Sequence, residues 1–284
     1  MYAITGASGQ LGRLVIQQLI ARGVPAAEIA ALVRSPSKAT QLTALGVQVR
    51  QADYSQPSTL GPALAGVQRL LLISSSEIGQ RVPQHRAVID AARAAGVGFV
   101  AYTSLLRADT TPLGLGAEHT ATEAALRESG LPHAILRHGW YTENYLASVA
   151  PALQHGAFIG SAGDGRIASA TRLDFADADA AVLLNPPASG SVLEMAGDEA
   201  YTLAELAAEI GRQAGRTIPY VNLPQAEFAA ALAGAGLPGP LAELLAESDV
   251  GASKGGLFDD GRVLSGLLGR PTTPLNQAVA AALR

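Results

Sequence analysis

Three glycines spaced three residues apart follow directly on a short apolar run at the start of the chain. The apolar run covers residues 2–5, the glycines are Gly6, Gly9 and Gly12, and a helical apolar pattern covers residues 14–20. This order predicts a strand, a tight turn and a helix. Gly6 permits the turn, Gly9 lets a ligand approach the backbone, and Gly12 lets the helix pack close to the strand. The pattern is typical of a Rossmann-type strand–helix unit.

The turn and the helix start predict a site for the pyrophosphate of a dinucleotide, since the first N–H groups of a helix attract anions. The predicted phosphate-binding residues are Gly6, Ala7, Ser8, Gly9, Gln10, Leu11 and Gly12. The second strand, at residues 29–34, ends in Arg34, and Lys38 follows it. A cation at this strand end suits the 2′-phosphate of NADPH, where NAD binders carry an acid. We therefore expect NADPH as cofactor; the alternatives are a solvated strand end for Arg34 and a helix face for Lys38.

Composition narrows the class of protein further. Apolar residues make up 48% of the chain and charged residues 15%, which excludes disorder as the main state. The formal net charge is −4 without a basic stripe, so we expect no nucleic-acid partner. The absence of cysteine removes disulfides, thiolate nucleophiles and Fe–S ligation, and it fits a reducing compartment.

The start of the chain and the length of its apolar runs indicate where in the cell the protein is found. The chain opens on a predicted core strand, which leaves no room for a signal peptide. No apolar run reaches the ~20 residues that a membrane span needs. We therefore expect a cytoplasmic protein with no membrane span, and a homo-oligomer remains open.

Strands and helices alternate up to about residue 140, which predicts a parallel sheet covered on both faces. The expected fold class is α/β, a Rossmann-type doubly wound parallel sheet with a smaller C-terminal lobe. We assign residues 1–150 to an NADPH-binding domain and residues 151–284 mainly to a substrate-binding lobe. Some segments of the second part, such as 192–196, are expected to return to the main sheet. The glycine-rich residues 156–165 predict a turn or hairpin, and Thr202 with Glu205 predicts a capping box.

Short hydroxyl side chains follow two further predicted strands. Ser74, Ser75 and Ser76 end the fourth strand, and Thr103 and Ser104 end the fifth. Ligands of open parallel sheets lie beyond the carboxyl ends of the strands, so these residues are predicted to bind the cofactor. A plain polar loop is the alternative for the three serines.

An aromatic pair follows the sixth strand. The predicted cofactor-binding residues there are His138, Gly139, Trp140, Tyr141, Thr142 and Glu143, with Asn144 closing the segment. Trp140 and Tyr141 are suited to wall a flat-ring pocket, and Tyr141 is a catalytic candidate through its hydroxyl. The alternative is an aromatic plug. Ser169 and Arg172 are predicted to close over the cofactor or, alternatively, to lie on the surface.

Eight segments carry a resemblance to the NmrA-like group of atypical short-chain dehydrogenases/reductases, and to its quinone-reductase-like members in particular. They are ITGASGQLG (4–12), ALVRSPSK (31–38), QADYSQPSTL (51–60), LLLISSSEIGQR (70–81), AYTSLLRADTTPLGL (101–115), LRHGWYTENYLAS (136–148), IGSAGDGRIASATRLDFA (159–176) and SDVGASKGGLFDD (248–260). The resemblance runs through nearly the whole chain. It implies a Rossmann fold with a small C-terminal lobe, NADPH as cofactor and two-electron reduction of quinones.

One departure from the wider dehydrogenase superfamily favours that subgroup. The Tyr-x-x-x-Lys pair of the superfamily is replaced by His119 and Glu123. The alcohol-oxidation proton relay is therefore absent, and a quinone tolerates the loss because it accepts hydride readily. His119 is the second catalytic candidate, as a minor proton donor; a solvated helix pair is the alternative. We expect no metal, because His119 and Glu123 have no third ligand.

The sequence thus predicts an oxidoreductase that transfers a hydride from NADPH directly to a small-molecule quinone. Two alternatives stay open. The first is a non-catalytic dinucleotide sensor or regulator, which the NmrA-like group also contains. The second is a reductase of another small carbonyl or alkene, although relatives of that kind carry a lysine near the position of His119.

Overall fold

The computed structural model describes residues 1–284 and contains a seven-stranded and a two-stranded sheet. The strands are β1 Tyr2–Ile4, β2 Ile29–Val33, β3 Gln48–Gln51, β4 Arg69–Leu72, β5 Phe99–Leu105, β6 His133–His138, β7 Phe158–Gly160, β8 Ser191–Met195 and β9 Tyr220–Asn222.

Thirteen α-helices connect and cover these strands. They are α1 Gln10–Ala21, α2 Thr40–Ala44, α3 Leu60–Ala63, α4 Arg81–Ala94, α5 Gly116–Glu128, α6 Thr142–Leu146, α7 Val149–His155, α8 Arg172–Leu184, α9 Leu203–Ala214, α10 Gln225–Gly234, α11 Gly239–Ser253, α12 Val263–Leu268 and α13 Leu275–Ala282. Short 3-10 helices cover Ala26–Glu28, Pro36–Lys38 and Pro57–Thr59. None of the helices has both the length and the apolar character that crossing a membrane requires.

The large sheet has the strand order β3-β2-β1-β4-β5-β6-β8. Strands β1 to β6 pair in parallel along this order. From β1 the chain proceeds to β2 and β3 on one side and then returns to β4, β5 and β6 on the other. The order therefore reverses between β1 and β4, and this switch point is where open α/β sheets bind ligands.

The chain divides into two compact units, each made of three segments. The first unit comprises Met1–Ala108, Ala117–His138 and Arg172–Glu194, and it holds the seven-stranded sheet apart from the last residue of β8. The second comprises Asp109–Gly116, Gly139–Thr171 and Met195–Arg284, and it holds β7 and β9. The domain boundary at residue 150 stays a prediction.

Helix α1 packs against α8 inside the first unit. The buried side of α1 carries Val15, Ile16 and Leu19, the spacing of an amphipathic helix. The Arg22 guanidinium lies 2.6 Å from the Asp177 carboxylate of α8. Apolar packing thus sets this helix pair, with a partly exposed ion pair at its edge.

The glycine-rich segment 156–165 contains a turn, as predicted, closed by the Gly165 N–H donating to the Ala162 carbonyl at 2.9 Å, but it does not form the hairpin that was the other prediction. Its strand β7 pairs in parallel with the distant β9, beginning at Phe158 opposite Tyr220. A Cβ atom on Gly160 would lie 2.7 Å from the Leu203 side chain and 2.8 Å from Asp249 Oδ2. The glycine there permits close packing rather than a chain reversal.

Helix α9 begins with the predicted capping box. Thr202 Oγ1 accepts a hydrogen bond from the Glu205 N–H at 3.1 Å, and the Thr202 N–H donates to Glu205 Oε2 at 2.8 Å. Two N–H groups at the helix start are satisfied in this way. The buried face of the helix includes Leu206 and Ile210, so the cap fixes where an apolar face begins.

We expect Thr202→Ala to lower the free energy of unfolding by about 1 kcal/mol, because the first turn of α9 loses its side-chain acceptor. Urea unfolding followed by circular dichroism measures the change. Thr217→Ala, at an exposed position outside any helix or strand, is the matched control and should leave stability nearly unchanged. Equal losses for the two variants would contradict a capping role.

Candidate dinucleotide site

The turn between β1 and α1 has the predicted geometry. Gly6 has a φ of +56°, which favours glycine, and its carbonyl accepts a hydrogen bond from the Gly9 N–H at 2.9 Å. A Cβ atom on Gly12 would lie 2.6 Å from the Gly6 oxygen and 2.8 Å from the Ala7 Cα. Gly9 has an ordinary extended backbone, so its missing side chain matters for space and not for conformation.

The start of α1 is suited to bind an anion. Gly9 is the N-cap and supplies no side-chain acceptor, and the first turn contains no acidic residue. The N–H groups of this turn and the positive end of the helix dipole therefore face no carboxylate from the helix itself. The turn lies at the carboxyl end of β1, beside the switch point of the sheet.

Arg34 follows β2 and is exposed, with 69% of its side chain accessible. Its Nη1 donates a hydrogen bond to Glu77 Oε1 at 2.8 Å. Lys38 ends the 3-10 helix Pro36–Lys38 and is also exposed. A guanidinium therefore lies where the sequence predicted one, but a carboxylate from the segment after β4 accompanies it.

The serines after β4 belong to an ordered segment. The Ser74 N–H donates to Thr103 Oγ1 at 2.9 Å, and the Ser75 N–H donates to His85 Nε2 at 2.8 Å. The Ser75 carbonyl accepts from Arg81 Nε at 2.6 Å. The ends of β4 and β5 are thus joined, and Ser74, Ser75 and Thr103 lie together as predicted, while Ser76 is exposed.

His85 holds this segment as a neutral imidazole. Burial, and to a smaller degree the charge of Arg81, lowers the pKa of His85 to about 3. Its Nε2 accepts from Ser75, so its Nδ1 carries the proton and donates to Thr122 Oγ1 at 3.0 Å. Thr122 in turn donates to the Glu118 carbonyl. The two neighbours fix the tautomer, and protonation at Nε2 would break the bond to Ser75.

A second anchor joins the same segment to α5. Glu118 Oε1 accepts from the Gly79 N–H at 2.9 Å, and Glu118 Oε2 lies 3.8 Å from Arg81 Nη1. Both side chains are largely buried. The strand end that carries the serines is therefore fixed from α4 and from α5.

His119 and Glu123 are buried, so the alternative of a solvated helix pair is wrong. His119 is 5% exposed and Glu123 is 0% exposed. Both residues lie on α5, the helix after β5, as predicted. Their face of the helix packs against β5, where the Tyr102 hydroxyl lies 2.8 Å from His119 Nδ1. Burial, followed by the charge of Arg81, lowers the pKa of His119 to about 3. A neutral imidazole is a poor proton donor at neutral pH, which weighs against His119 as the catalytic acid.

Glu123 is part of a buried ion-pair network. Its carboxylate accepts from Arg137 Nε at 2.9 Å and Nη2 at 2.8 Å, and from Ser104 Oγ at 2.6 Å. Burial raises the pKa of Glu123, but the hydrogen bonds from Arg137 and Ser104 outweigh it and hold the pKa below its usual range. The Ser104 hydroxyl is therefore used inside the protein, at the end of β5.

His138 and Arg172 are the remaining predicted residues of the first unit. The His138 imidazole lies 2.9 Å from Asp179 Oδ1 and stacks on Phe175 at 4.5 Å between ring centroids. Its side chain thus packs on α8. Arg172 is half-buried at the first residue of α8.

The other predicted residues belong to the second unit. The Gly139 N–H donates to the Met195 carbonyl at 2.7 Å, and a Cβ at Gly139 would lie 3.1 Å from that oxygen. Thr142 Oγ1 and Ser169 Oγ are 2.8 Å apart, and Ser169 Oγ lies 2.6 Å from the Tyr201 hydroxyl. Ser169 is 7% exposed, so its alternative as a surface residue is wrong.

The aromatic pair has two different environments. Trp140 is 7% exposed and lines a cavity of about 30 Å³ with Tyr145, Phe158 and Asp249, enough for one or two waters and too small for a quinone ring. Tyr141 is the N-cap residue of α6 and is half-buried. Glu143 lies in the first turn of the same helix and is also half-buried. Of the aromatic pair, Tyr141 is therefore the less buried residue.

Asp249 is a buried carboxylate that the sequence did not mark. It accepts hydrogen bonds from the Tyr145 hydroxyl at 2.9 Å and from the Ser161 N–H at 2.8 Å. Burial raises its pKa to about 6, although both hydrogen bonds lower it. These bonds tie α11 to α6 and to the end of β7.

The first unit alone defines a class of protein. A glycine turn, a helix start without an acidic side chain and a guanidinium after β2 lie at the carboxyl edge of a doubly wound sheet. This is a dinucleotide-binding protein of the Rossmann type.

The chain belongs to the NAD(P)H-binding family, whose model matches residues 6–186. It is 60% identical to quinone oxidoreductase 2 of Escherichia coli (strain K12) over 280 residues, covering 99% of this chain and 98% of the relative. The family resemblance predicted from the sequence is confirmed.

Two solved structures share the fold. The crystal structure of an NADPH-dependent quinone oxidoreductase from Escherichia coli, complexed with NADPH, matches all of both chains with a TM-score of 0.96 and 59% identity. The triphenylmethane reductase of Citrobacter sp., complexed with NADP(H), matches 99% of both chains with a TM-score of 0.94 and 36% identity. The predicted fold class is confirmed.

Sequence reasoning missed three residues that order the edge of the sheet. Glu77 contacts Arg34, and Arg81 and His85 bind the segment at Ser75. One signal was present: Arg81, His85 and Val88 repeat at helical spacing on the buried face of α4, and polar residues on such a face need partners. Nothing in the local sequence marked Glu77.

We expect Gly9→Ala and Gly12→Ala to act differently. An added Cβ at Gly12 meets backbone atoms at 2.6 and 2.8 Å, so the variant should lose about 1–3 kcal/mol of stability. An added Cβ at Gly9 lies 3.1 Å from the Gly6 oxygen, at the helix start; it should weaken NADPH binding by about tenfold with a smaller loss of stability. Thermal unfolding and calorimetric titration separate the two effects.

Gly61→Ala is the control for both glycine variants, because no atom lies within 4 Å of its added Cβ. If Gly9→Ala binds NADPH as tightly as this control, the turn is not the phosphate site.

We expect His119 to make the protein less stable in acid. Its pKa is lowered to about 3 in the folded chain, whereas unfolded histidine takes up a proton near 6.5. Its contribution to stability is therefore complete above about pH 6.5 and is lost as the pH falls toward 3, at about 1.4 kcal/mol per pH unit. His119→Asn should remove the part of the pH dependence that is due to His119, between about pH 4 and 6 in urea unfolding. The part due to His85 should remain.

His155→Asn is the matched control for this measurement, since His155 is exposed at the end of α7. The same slope in His119→Asn and in the unmodified protein would show that the imidazole is charged when folded.

Proposed function

We propose that this protein catalyses the NADPH-dependent two-electron reduction of quinones. The observation that carries the proposal is the full-length relationship to the Escherichia coli quinone oxidoreductase, at 60% identity and with a TM-score of 0.96 to its NADPH complex. A dinucleotide sensor without turnover and a reductase of other carbonyls or alkenes have no comparable support from these relatives.

The residues of the first unit fit the proposed cofactor. The turn of residues 6–12 would hold the pyrophosphate, since it presents the first N–H groups of α1, which Gly9 leaves free of a side chain and Gly12 places close to the Gly6 carbonyl. Arg34 would bind the 2′-phosphate, with Lys38 as a second cation on the same exposed segment. Ser74, Ser75, Ser76 and Thr103 stay the residues proposed for the cofactor at the ends of β4 and β5. The same proposal extends to Gly139, Thr142, Glu143, Ser169 and Arg172.

The chemistry needs little proton transfer from the protein. When bound, NADPH supplies a hydride, and one proton from solvent completes the hydroquinone while NADP⁺ is released. His119 is neutral and Glu123 is held ionised by Arg137, so neither is suited to donate that proton. Tyr141 stays our candidate for contact with the acceptor, because it is only half-buried and a phenolic hydroxyl is a group that can bond a developing quinone oxyanion.

Turnover tests the proposal directly. With 1,4-benzoquinone and no added flavin, we expect one NADPH to be consumed for each quinone reduced, and hydroquinone to be the product. NADPH binding without consumption, across a panel of quinones, would overturn the proposal and favour a sensor.

The cytoplasmic location of the protein stays a prediction.

We expect NADPH to bind about tenfold more tightly than NADH, and Arg34→Ala to remove most of that difference. A charge-assisted hydrogen bond contributes roughly 1.5–3 kcal/mol, and exposure of Arg34 places the effect at the lower end. Calorimetric titration of both dinucleotides measures it, with Arg93→Ala, an exposed cation in the last turn of α4, as a control for loss of positive charge. Equal affinities in the unmodified protein would exclude Arg34 as the 2′-phosphate ligand.

A further inference from the structure

The guanidinium of Arg34 has a carboxylate partner from a different part of the sheet edge. Glu77 lies 43 positions further along the chain, and its Oε1 accepts from Arg34 Nη1 at 2.8 Å. Both side chains are open to solvent, with 69% and 42% of their surfaces accessible. The pair is therefore accessible to a ligand and is not part of the core.

Glu77 is held in place from its other side. Gln84 Nε2 donates to Glu77 Oε2 at 2.7 Å and to Ser55 Oγ at 3.0 Å, and Gln84 is buried at the start of α4. The Glu77 N–H also donates to Ser75 Oγ at 3.1 Å. The carboxylate is thus positioned toward Arg34 by the ordered segment after β4, so the ion pair needs little further ordering of Glu77.

A carboxylate and a phosphate monoester compete for the same guanidinium. Both are anions that accept hydrogen bonds from its fork, and two of them beside one guanidinium repel each other. The 2′-phosphate of NADPH would have to displace Glu77 from Arg34 or lie beside it. NADH has no such phosphate and would not disturb the pair.

We propose that Glu77 is a specificity-determining residue, which competes with the 2′-phosphate for Arg34 and so lowers the preference for NADPH over NADH. The inference rests on the proposed NADPH function. It assigns to Glu77 a role in setting how strongly the two dinucleotides differ, with Gln84 as the residue that positions it.

The test is the affinity of NADPH and NADH for Glu77→Gln, measured by calorimetric titration at low ionic strength. The substitution keeps the size of the side chain and an acceptor for Gln84, and it removes the charge. Since exposed ion pairs are weak, we expect NADPH affinity to rise roughly two- to fivefold with NADH affinity unchanged. The gain should shrink as salt screens the pair. Glu28→Gln, an exposed acid of the same unit, controls for net charge.

A double-mutant cycle shows whether the effect passes through Arg34. In an Arg34→Ala background, Glu77→Gln should raise NADPH affinity by less than it does with Arg34 present, because the competition for the guanidinium has been removed and only charge repulsion remains; NADH affinity should stay unchanged. Unchanged NADPH affinity in the single variant overturns the inference, as does a weaker affinity for NADH, which would mean that Glu77 bonds the ribose hydroxyl. Failure of the proposed function is distinct, since the unmodified protein would then either not bind NADPH or bind it without consuming it when quinone is added.

Discussion

The backbone of α1 touches the turn at Gly6 with no space for a side chain between them. This contact fixes where the helix starts, and so aims its first N–H groups at the switch point between β1 and β4. The same placement directs the apolar face of α1 toward α8. Arg69 of β4 in turn donates to the last carbonyls of α8, those of Leu183 and Leu184. The close approach of the Gly12 and Gly6 backbones thus affects the phosphate turn, the packing of α1 on α8 and the centre of the sheet.

Polar side chains inside the first unit serve the architecture of the sheet edge. His85 binds Ser75, Glu118 binds Gly79, and Glu123 neutralises Arg137 between β5 and β6. Burying polar and charged groups costs free energy unless each one has a hydrogen-bond partner. When all partners are present, they hold the strand end in one conformation. His119 and Glu123, the residues that the sequence analysis compared with a Tyr-x-x-x-Lys pair, make interior hydrogen bonds in this protein. A substrate that accepts hydride readily is compatible with that exchange of roles.

Features decided within a few residues were predictable from the sequence. The turn at Gly6 depends on a left-handed backbone, the cap at Thr202 on a residue three positions away, and the strands of the large sheet on continuous apolar runs. The return of β8 to the large sheet was predicted, but other features that join distant segments were not. The pairing of β7 with β9 spans some sixty residues, and Gly160 of β7 has no room for a side chain because Leu203 and Asp249 pack against it. The burial of His119 was missed because the apolar pattern of α5 does not distinguish the face that meets β5. Arg34 was identified by its place after β2, but its neighbour Glu77 follows from packing of the segment after β4.

The interleaving of the two units has a consequence for synthesis on the ribosome. Residues 139–171 of the second unit emerge before α8 and β8, which the first unit needs for completion. Until then, the apolar side of α1 and the outer edge of β6 lack their native cover, even though six parallel strands have already been made. At ordinary elongation rates of roughly 5–20 residues per second, that interval lasts for several seconds. A nascent chain of this design therefore exposes an apolar helix face and an unpaired strand edge together during that interval.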